Sequence, residues 1–408
     1  MKKNLNTILL AALFIFLPLA AEGGVEFSGE VQTIWGAGAP WTDSETSAGK
    51  FLLGTTEFTG TLDAYYDNSS AFAEAAVSYD AVTNELDWSL NELWLDYTSS
   101  FWGVRIGRQK TAWGKADGVD ITNVICPSDM SSLSAMTSDD SKLAVDAIRL
   151  SLSKNQFTAD AYWIPFFTPA ALPAETAAAV QLEKPEISLW NGEYGIKLSG
   201  YFSALDVSFY GFYGWDDMPF ISYEPVIAGG QLVGMNVKGN YKRMTMFGLD
   251  AAVPVREVVF RAEAAFFPQR YFSSSTPAMS STEEQRNEIS ALAGLDWMPE
   301  GWTLTAQYFC DYVMGDLEPL EREDAYTHGA TLSVSKTFLN ETLQTSFSGM
   351  MHFNDFDSVL KPSINYSLSD QINLEGGAYI FIPGPDEDGE FGAYKDYSAF
   401  YIKAKFSF

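Results

Sequence analysis

From Val25 onward the chain alternates apolar residues with polar or small ones at a period of two, in segments of about 9–12 residues. This pattern restricts the fold more than any motif does. Side chains on a strand point alternately to opposite faces, whereas a helix repeats every 3.6 residues. Val207, Phe209, Gly211 and Tyr213 interleave with Asp206, Ser208, Tyr210 and Phe212. Trp302, Leu304, Ala306 and Tyr308 interleave with Thr303, Thr305 and Gln307. Ile372, Leu374, Gly376, Ala378 and Ile380 do the same with Asn373, Glu375 and Gly377. Strands of soluble sandwiches average about 5–6 residues. A tilted strand crossing a bilayer needs about 9–11. A membrane barrel gives both faces a reason: lipid outside, water or packed polar groups inside.

The connectors have their own rhythm. Short turns fall at Asn68-Ser69-Ser70, Ser99-Ser100, Lys154-Asn155, Ser203-Ala204, Pro254-Val255-Arg256, Pro299-Glu300-Gly301, Leu339-Asn340 and Ser369-Asp370. Interleaved with them are longer acidic, Pro/Gly/Ser-rich stretches near 36–50, 80–87, 112–142, 166–192, 215–240, 268–287, 314–326, 354–357 and 383–395. Eight turns and nine loops join eighteen strands, or sixteen if one hairpin is misread. The expected fold is all-β: an antiparallel up-and-down transmembrane barrel with tight periplasmic turns and long external loops.

Composition agrees. Hydrophobic residues make up 47% of the chain, yet beyond the N-terminus no apolar run nears the roughly 18–20 residues of a membrane helix. Alternation spreads them over many strands. Lys2 and Lys3, the apolar run from Ile8 to Leu17, and Leu19-Ala20-Ala21 after Pro18 read as a secretory leader at 1–21. Residues 22–408 then form one barrel. No Cys lies at the cleavage point, which argues against a lipid anchor. The net charge of -28 disfavours nucleic acid, whose phosphates need basic partners. An aromatic content of 15% argues against disorder. Two Cys cannot build a disulfide framework, and two His leave little for a metal site. No cofactor is expected.

Phe400, Ile402, Ala404, Phe406 and Phe408 alternate to the last residue. This resembles the terminal strand that outer-membrane proteins offer to the barrel-assembly machinery. Val104-Arg105-Ile106-Gly107-Arg108-Gln109, followed by Trp113-Gly114, resembles the strand-end "GRQ…WG" pattern of outer-membrane porin-like barrels. Tyr162-Trp163-Ile164-Pro165-Phe166-Phe167-Thr168-Pro169, then Leu172-Pro173, resembles the "PFFxP…LP" segment of the same large family of unassigned function, similar to alginate-export-type porins. The resemblance covers 104–173 and implies a barrel in the outer-membrane lipid with a porin-like role. It implies no particular substrate.

Strand parity assigns residues to the lumen. The inward acids include Glu57, Asp63, Glu74, Glu92, Asp96, Asp160, Asp206, Asp250, Glu263, Asp296, Asp311 and Glu375, against Arg105, Arg149, Lys197, Arg261, Lys403 and Lys405. An acid-rich wall favours cations. Cross-strand pairing would cancel part of that field, and two pairings are expected. With Tyr97 opposite Trp102, Arg105 falls opposite Trp94 and diagonal to Glu92. Closure brings Lys403 and Lys405 near Glu26 and Glu30. Inward aromatics (Trp94, Tyr162, Tyr201, Tyr210, Phe212, Tyr379, Tyr397, Tyr401) would either stack on solutes or pack at the rims.

The third external loop, 112–142, is long enough to be functional. With Lys115, Asp117, Asp120, Asp129, Asp139 and Asp140 on it, the expectation is that it folds inward and narrows the pore, the alternative being a surface loop. No nucleophile is spaced for His328 or His352, Cys126 and Cys310 are not paired, and Asp386-Glu387-Asp388 lacks a calcium-loop pattern. No enzyme is indicated. A porin-like channel for small hydrophilic solutes, cation-leaning, leads. A selective uptake channel for a sugar or apolar compound, or a non-conducting adhesin or structural barrel, remains open, as does homo-oligomer assembly.

Overall fold

The alternating segments are strands, and all but three belong to one closed sheet. The computed structural model describes residues 23–136, 141–229, 231–273, 283–318, 320, 322–387 and 389–408. The leader at 1–21 lies outside the described residues, as do Asp139, Asp140 and Asp388.

The strands of the first half are β1 (Gly24–Gly38), β2 (Phe51–Tyr66), β3 (Ser69–Asp80), β4 (Glu85–Thr98), β5 (Trp102–Gln109), β6 (Val145–Lys154), β7 (Phe157–Ile164), β8 (Gln181–Glu183), β9 (Glu193–Tyr201) and β10 (Asp206–Trp215). The second half adds β11 (Phe220–Ala228), β12 (Gln231–Asn240), β13 (Arg243–Val255), β14 (Val258–Phe272), β15 (Glu284–Trp297) and β16 (Trp302–Met314). It ends with β17 (Tyr326–Phe338), β18 (Leu343–His352), β19 (Ser358–Ser369), β20 (Ile372–Ile382) and β21 (Ala399–Ser407). Two short helices, α1 (Leu133–Met136) and α2 (Ala174–Ala179), lie in the long loops.

Eighteen strands form the barrel. Each pairs antiparallel with its neighbour, with β7 meeting β9 and β10 meeting β13 across the excursions. The β1–β21 ladder from Glu30↔Ser407 to Gly38↔Ala399 closes the sheet. Closure gives the strands no unpaired edge, which is the condition for β-structure in lipid. At the seam, Gly29 and Phe408 exchange backbone hydrogen bonds of 2.9 Å in both directions. The Phe408 ring lies 6.3 Å from that of Phe27.

The eight short turns and the strand count follow the sequence expectation. Three details differ. The stretch expected at 80–87 is a tight connection of 81–84, because β3 and β4 continue pairing to Asp80↔Glu85. The stretch expected at 215–240 carries its own hairpin, β11–β12, with β8 parallel to β12. Alternation in that hairpin is interrupted by Pro225 and four glycines, so the sequence pattern there reads as loop. The third difference, a register, bears on the lumen.

The outer face is apolar: Phe27, Val31 and Trp35 on β1, Leu95 and Ile106 on β4 and β5, and Phe209, Leu249 and Phe260 further round are all exposed. Aromatics gather at both ends of the wall. Tyr97, Trp102, Trp297, Trp302 and Phe338 mark the short-turn end, and Tyr79, Trp88, Tyr194, Tyr213 and Tyr326 the long-loop end. Amphipathic rings prefer the two water–lipid interfaces.

The buried core lies inside the barrel, in two apolar clusters near the long-loop end. Toward the short-turn end the inner wall is polar, with Ser28, Thr61, Ser151, Ser333, Ser346 and Asn365 in inward phase.

Candidate lumen and constriction

Loop three, described at 110–136 and 141–144, leaves β5, and its stretch from Trp113 to Cys126 enters the barrel and lies against the inner wall. Its backbone is strapped to three strands. Glu263 on β14 accepts four hydrogen bonds: from the N–H groups of Lys115 (2.7 Å), Ala116 (2.9 Å) and Thr122 (2.7 Å), and from the Thr122 hydroxyl (2.7 Å). Gln307 on β16 accepts from the Asp117 N–H at 3.0 Å and donates to the Asp117 carbonyl at 2.7 Å. Tyr210 on β10 accepts from the Gly114 N–H at 3.0 Å, and Arg261 donates to the Lys115 carbonyl at 2.9 Å. Charge-assisted bonds to a carboxylate are the stronger kind. Glu263 is only 3% exposed, so without these donors it would be a buried, unpartnered anion.

Apolar contacts complete the seat. Trp113 packs against Tyr210 at 4.9 Å and Tyr162 at 5.7 Å between ring centroids. Ile121, Ile125 and Cys126 join Met246, Phe267, Leu292 and Phe309 from the wall. Burial pushes the Cys126 thiol up to about 11, so it stays protonated and unreactive at neutral pH.

Two glycines show why the local sequence has this form. Gly107 has φ +132°, and a Cβ there would sit 2.2 Å from the Leu93 carbonyl oxygen on β4. Gly114 has φ +87°, and its Cβ would fall 2.5 Å from the Glu263 carboxylate. Gln109, fully buried, donates to the Ala147 carbonyl at 2.9 Å and fixes the end of β5. Arg108 turns to the outer rim, with Asp146 at 3.5 Å and the Leu90 carbonyl at 2.9 Å. In the second segment Phe167 packs on Tyr241 at 4.8 Å, Phe166 is exposed, and Pro165 and Pro169 are half-buried.

The remaining loop residues play other parts. Asp120 pairs with Lys142 and accepts from Asn123. Asp129 accepts from the Ser131 hydroxyl at 2.6 Å.

On the wall, Arg105 lies directly opposite Asp96, not Trp94, and bonds it at 3.0 Å. The turn closes with Thr98 opposite Gly103, two residues along from the expected register. Trp94 instead faces Gly107, and the Arg105 guanidinium covers its ring diagonally at 3.7 Å. Trp94 also stacks on Phe72 at 5.2 Å. Glu92 is not the partner of Arg105; it accepts from the Lys110 N–H. Arg149 shares Asp96 at 3.8 Å. Lys197 lies opposite Asp160 and over Tyr210 at 5.4 Å. Arg261 pairs with Asp296.

At the seam Lys405 meets Glu30 at 2.6 Å as expected, but Lys403 meets Glu375 at 3.8 Å rather than Glu26. The register puts Lys403 opposite Ile34, far along β1 from Glu26.

The charges are therefore sorted around the barrel. Bases cluster on β5–β9, each beside an acid. On β1–β4, Glu26 lies opposite Asp63 and Glu74 opposite Glu92. Among the described residues, no cation lies within ion-pair distance of these four or of Glu57.

Loop nine, described at 383–387 and 389–398, is a second inward packer where the sequence predicts a solvated stretch. Phe391 and Tyr394 sit on the cluster of Ile34, Leu53, Val359 and Phe381, joined there by Leu133 of loop three. Fully buried Asp357 accepts from the N–H groups of Phe391 (2.5 Å) and Gly392 (3.3 Å). His352 stacks on Phe391 at 4.8 Å with its Nδ1 3.4 Å from Asp357. Gln307 and Thr122 were likewise not singled out. Inward parity marks Gln307 as polar, but nothing local marks its partner 190 residues away.

A family model described as "Protein of unknown function (DUF1302)" matches residues 58–371, more than half of the chain. The chain belongs to this family. No curated protein matches it. Among solved structures, OccK8 (OprE) of Pseudomonas aeruginosa superposes with a TM-score of 0.56 at 10% identity, covering 94% of this chain and 97% of that one. Pseudomonas aeruginosa OccK2 (OpdF), in complex with glucuronate, gives 0.54 at 10% identity, with 94% and 97% covered. OccAB2 of Acinetobacter baumannii gives 0.53 at 9% identity, with 94% and 98% covered. At these identities the likeness is one of fold. This DUF1302 member has the closed eighteen-strand barrel of outer-membrane channels.

Proposed function

We propose that this chain is an outer-membrane channel for small hydrophilic solutes, exported by its leader, assembled through the strand ending at Phe408, and narrowed by loop three. The carrying observation is the strapping of loop three to Glu263, Gln307 and Tyr210 inside a closed barrel with a lipid-type outer face. A loop held by so many bonds is a fixed insert, and what passes must use the space beside it. Most of loop three's buried apolar residues pack toward β6–β16, while Leu133 reaches Ile34 and Leu53 at the long-loop end and the Lys110 N–H bonds Glu92, so the passage is placed along the rest of the β1–β4 wall. Its uncompensated carboxylates give the passage a lean toward cations. The barrel carries no catalytic step in this reading.

The rival is a non-conducting barrel whose external loops do the work. Planar-bilayer recording in a KCl gradient separates the two. Discrete conductance steps with a reversal potential on the cation side are expected, together with a larger step for a 117–138 deletion. Absence of steps in the wild type would sink the channel reading. Equal conductance in the deletion would sink the constriction.

A further inference from the structure

A cavity of about 300 Å³ opens at the long-loop end, within the mouth of the barrel. Its wall comes from the start of loop five at 216–220, the start of β13, the end of β14, Glu288 on β15 and Arg322 of loop seven. The lining holds four cations, Lys242, Arg243, Arg270 and Arg322, against two carboxylates, Asp216 and Glu288. In a chain with 53 acidic and 25 basic residues this is a local reversal of charge.

The four cations are not equivalent. Arg270 is saturated, bonding Asp216 through Nε at 3.0 Å and Glu288 at 2.8 Å. Arg322 shares Glu288 at 3.4 Å and donates to the Thr327 hydroxyl at 2.8 Å. These two arginines and two carboxylates form a balanced frame. The other two cations of the lining, Arg243 and Lys242, lie outside that frame.

Arg243 stacks on Trp215 at 4.0 Å and donates to the Gly192 carbonyl at 3.0 Å, with no carboxylate in ion-pair distance among the described residues. Lys242 has one acidic partner, Glu283, whose side chain is half exposed. A half-exposed pair of that kind is weak, so another carboxylate can replace it. The Lys242 ammonium lies 5.1 Å from the Phe220 ring and 5.5 Å from that of Tyr271. Met218 and Pro219 line the cavity beside these rings, and Met244 ties it to the apolar cluster under loop three.

We propose that this cavity is a binding site for small organic carboxylates, holding the carboxylate on Lys242 and an apolar body against Phe220, Tyr271 and Met218. The volume is at the low end for ligand pockets, roughly 300–1,000 Å³, so the ligand is a single small ring or short chain and not an oligomer. One charge-bearing end and one apolar wall require an amphipathic anion. A fully hydrated ion such as phosphate gains nothing from the rings. The site lies above loop three and stands whether or not the barrel conducts.

Isothermal titration of the full chain in detergent, with benzoate, benzyl alcohol, benzylamine and inorganic phosphate, tests it. Benzoate is expected to bind saturably and at least about tenfold more tightly than the other three. Lys242→Gln should weaken benzoate by about tenfold or more, and Lys242→Arg should restore it. Both variants are checked for intact folding by heat-modifiable migration in SDS. Equal affinity for benzyl alcohol or phosphate, no saturable benzoate binding, or unchanged binding in a folded Lys242→Gln protein would each overturn the site. Because binding is read without flux, its failure is distinct from failure of the channel reading.

Discussion

Glu263 has the arrangement of a clamp and not of a pore charge. Its two oxygens accept four donors from loop three, three of them backbone N–H groups that no neighbouring strand serves. Removing the carboxylate would leave those donors facing a cavity, at a cost on the order of 1–3 kcal/mol for each unsatisfied group. Gly114 contributes by absence, since a side chain there would occupy the carboxylate's place. The readout is Cys126, which is buried beneath the same loop and accepts from the Thr111 N–H. In a Cys310→Ser background, maleimide labelling of Cys126 should be negligible for the otherwise wild-type chain. Glu263→Ala and Gly114→Val should each raise its rate by about tenfold or more, with the barrel still folded. Labelling that stays negligible in folded Glu263→Ala would show that the loop does not depend on this residue.

At the scale of strands and loops, what could be read from sequence depended on the range of the interaction. Parity is local, so the strand count, the eight turns and the inward phase of Asp96, Arg105 and Glu263 were legible. Register depends on turn geometry, and a four-residue closure at Ser99–Trp102, one residue along from the expected closure at 98–101, places Arg105 opposite Asp96 and not Trp94. Loop packing is decided by contacts hundreds of residues apart. Nothing near Asp357 announces that it will hold Phe391 and Gly392, and the acidic run at 386–388 reads as a solvated loop instead. The Asp357 anchor makes loop nine a docked element, which limited proteolysis can read at Lys395, paired in the folded chain with Glu387. Asp357→Ala should speed tryptic cleavage after Lys395 several-fold while leaving the barrel's thermal melt nearly unchanged. Cleavage at the wild-type rate would mean the apolar contacts of Phe391 and Tyr394 hold the loop without it.

Over the whole molecule, a charge of -28 divides between exposed loops and a lumen whose two sides differ. On β5–β9, cations and carboxylates lie side by side, and their fields largely cancel beyond the Debye length of about 8 Å. On β1–β4, like charges face each other across strands, at Glu26 with Asp63 and at Glu74 with Glu92. Such pairs are individually unfavourable in a sheet. In the proposed cation-leaning passage, the field of these two pairs is what offsets that cost. The test is to neutralise without removing hydrogen-bond acceptors. Glu57→Gln, Glu74→Gln and Glu92→Gln together keep an oxygen for Asn91 and for the Lys110 N–H. In a tenfold KCl gradient, the reversal potential of the triple variant should move toward zero from the cation side. Asp96→Asn, which frees Arg105 and Arg149, should move it in the same direction by adding uncompensated positive charge on the adjoining strands β5 and β6. If the triple variant keeps the wild-type potential, the cation lean does not come from β1–β4, and the external loops become the source to examine.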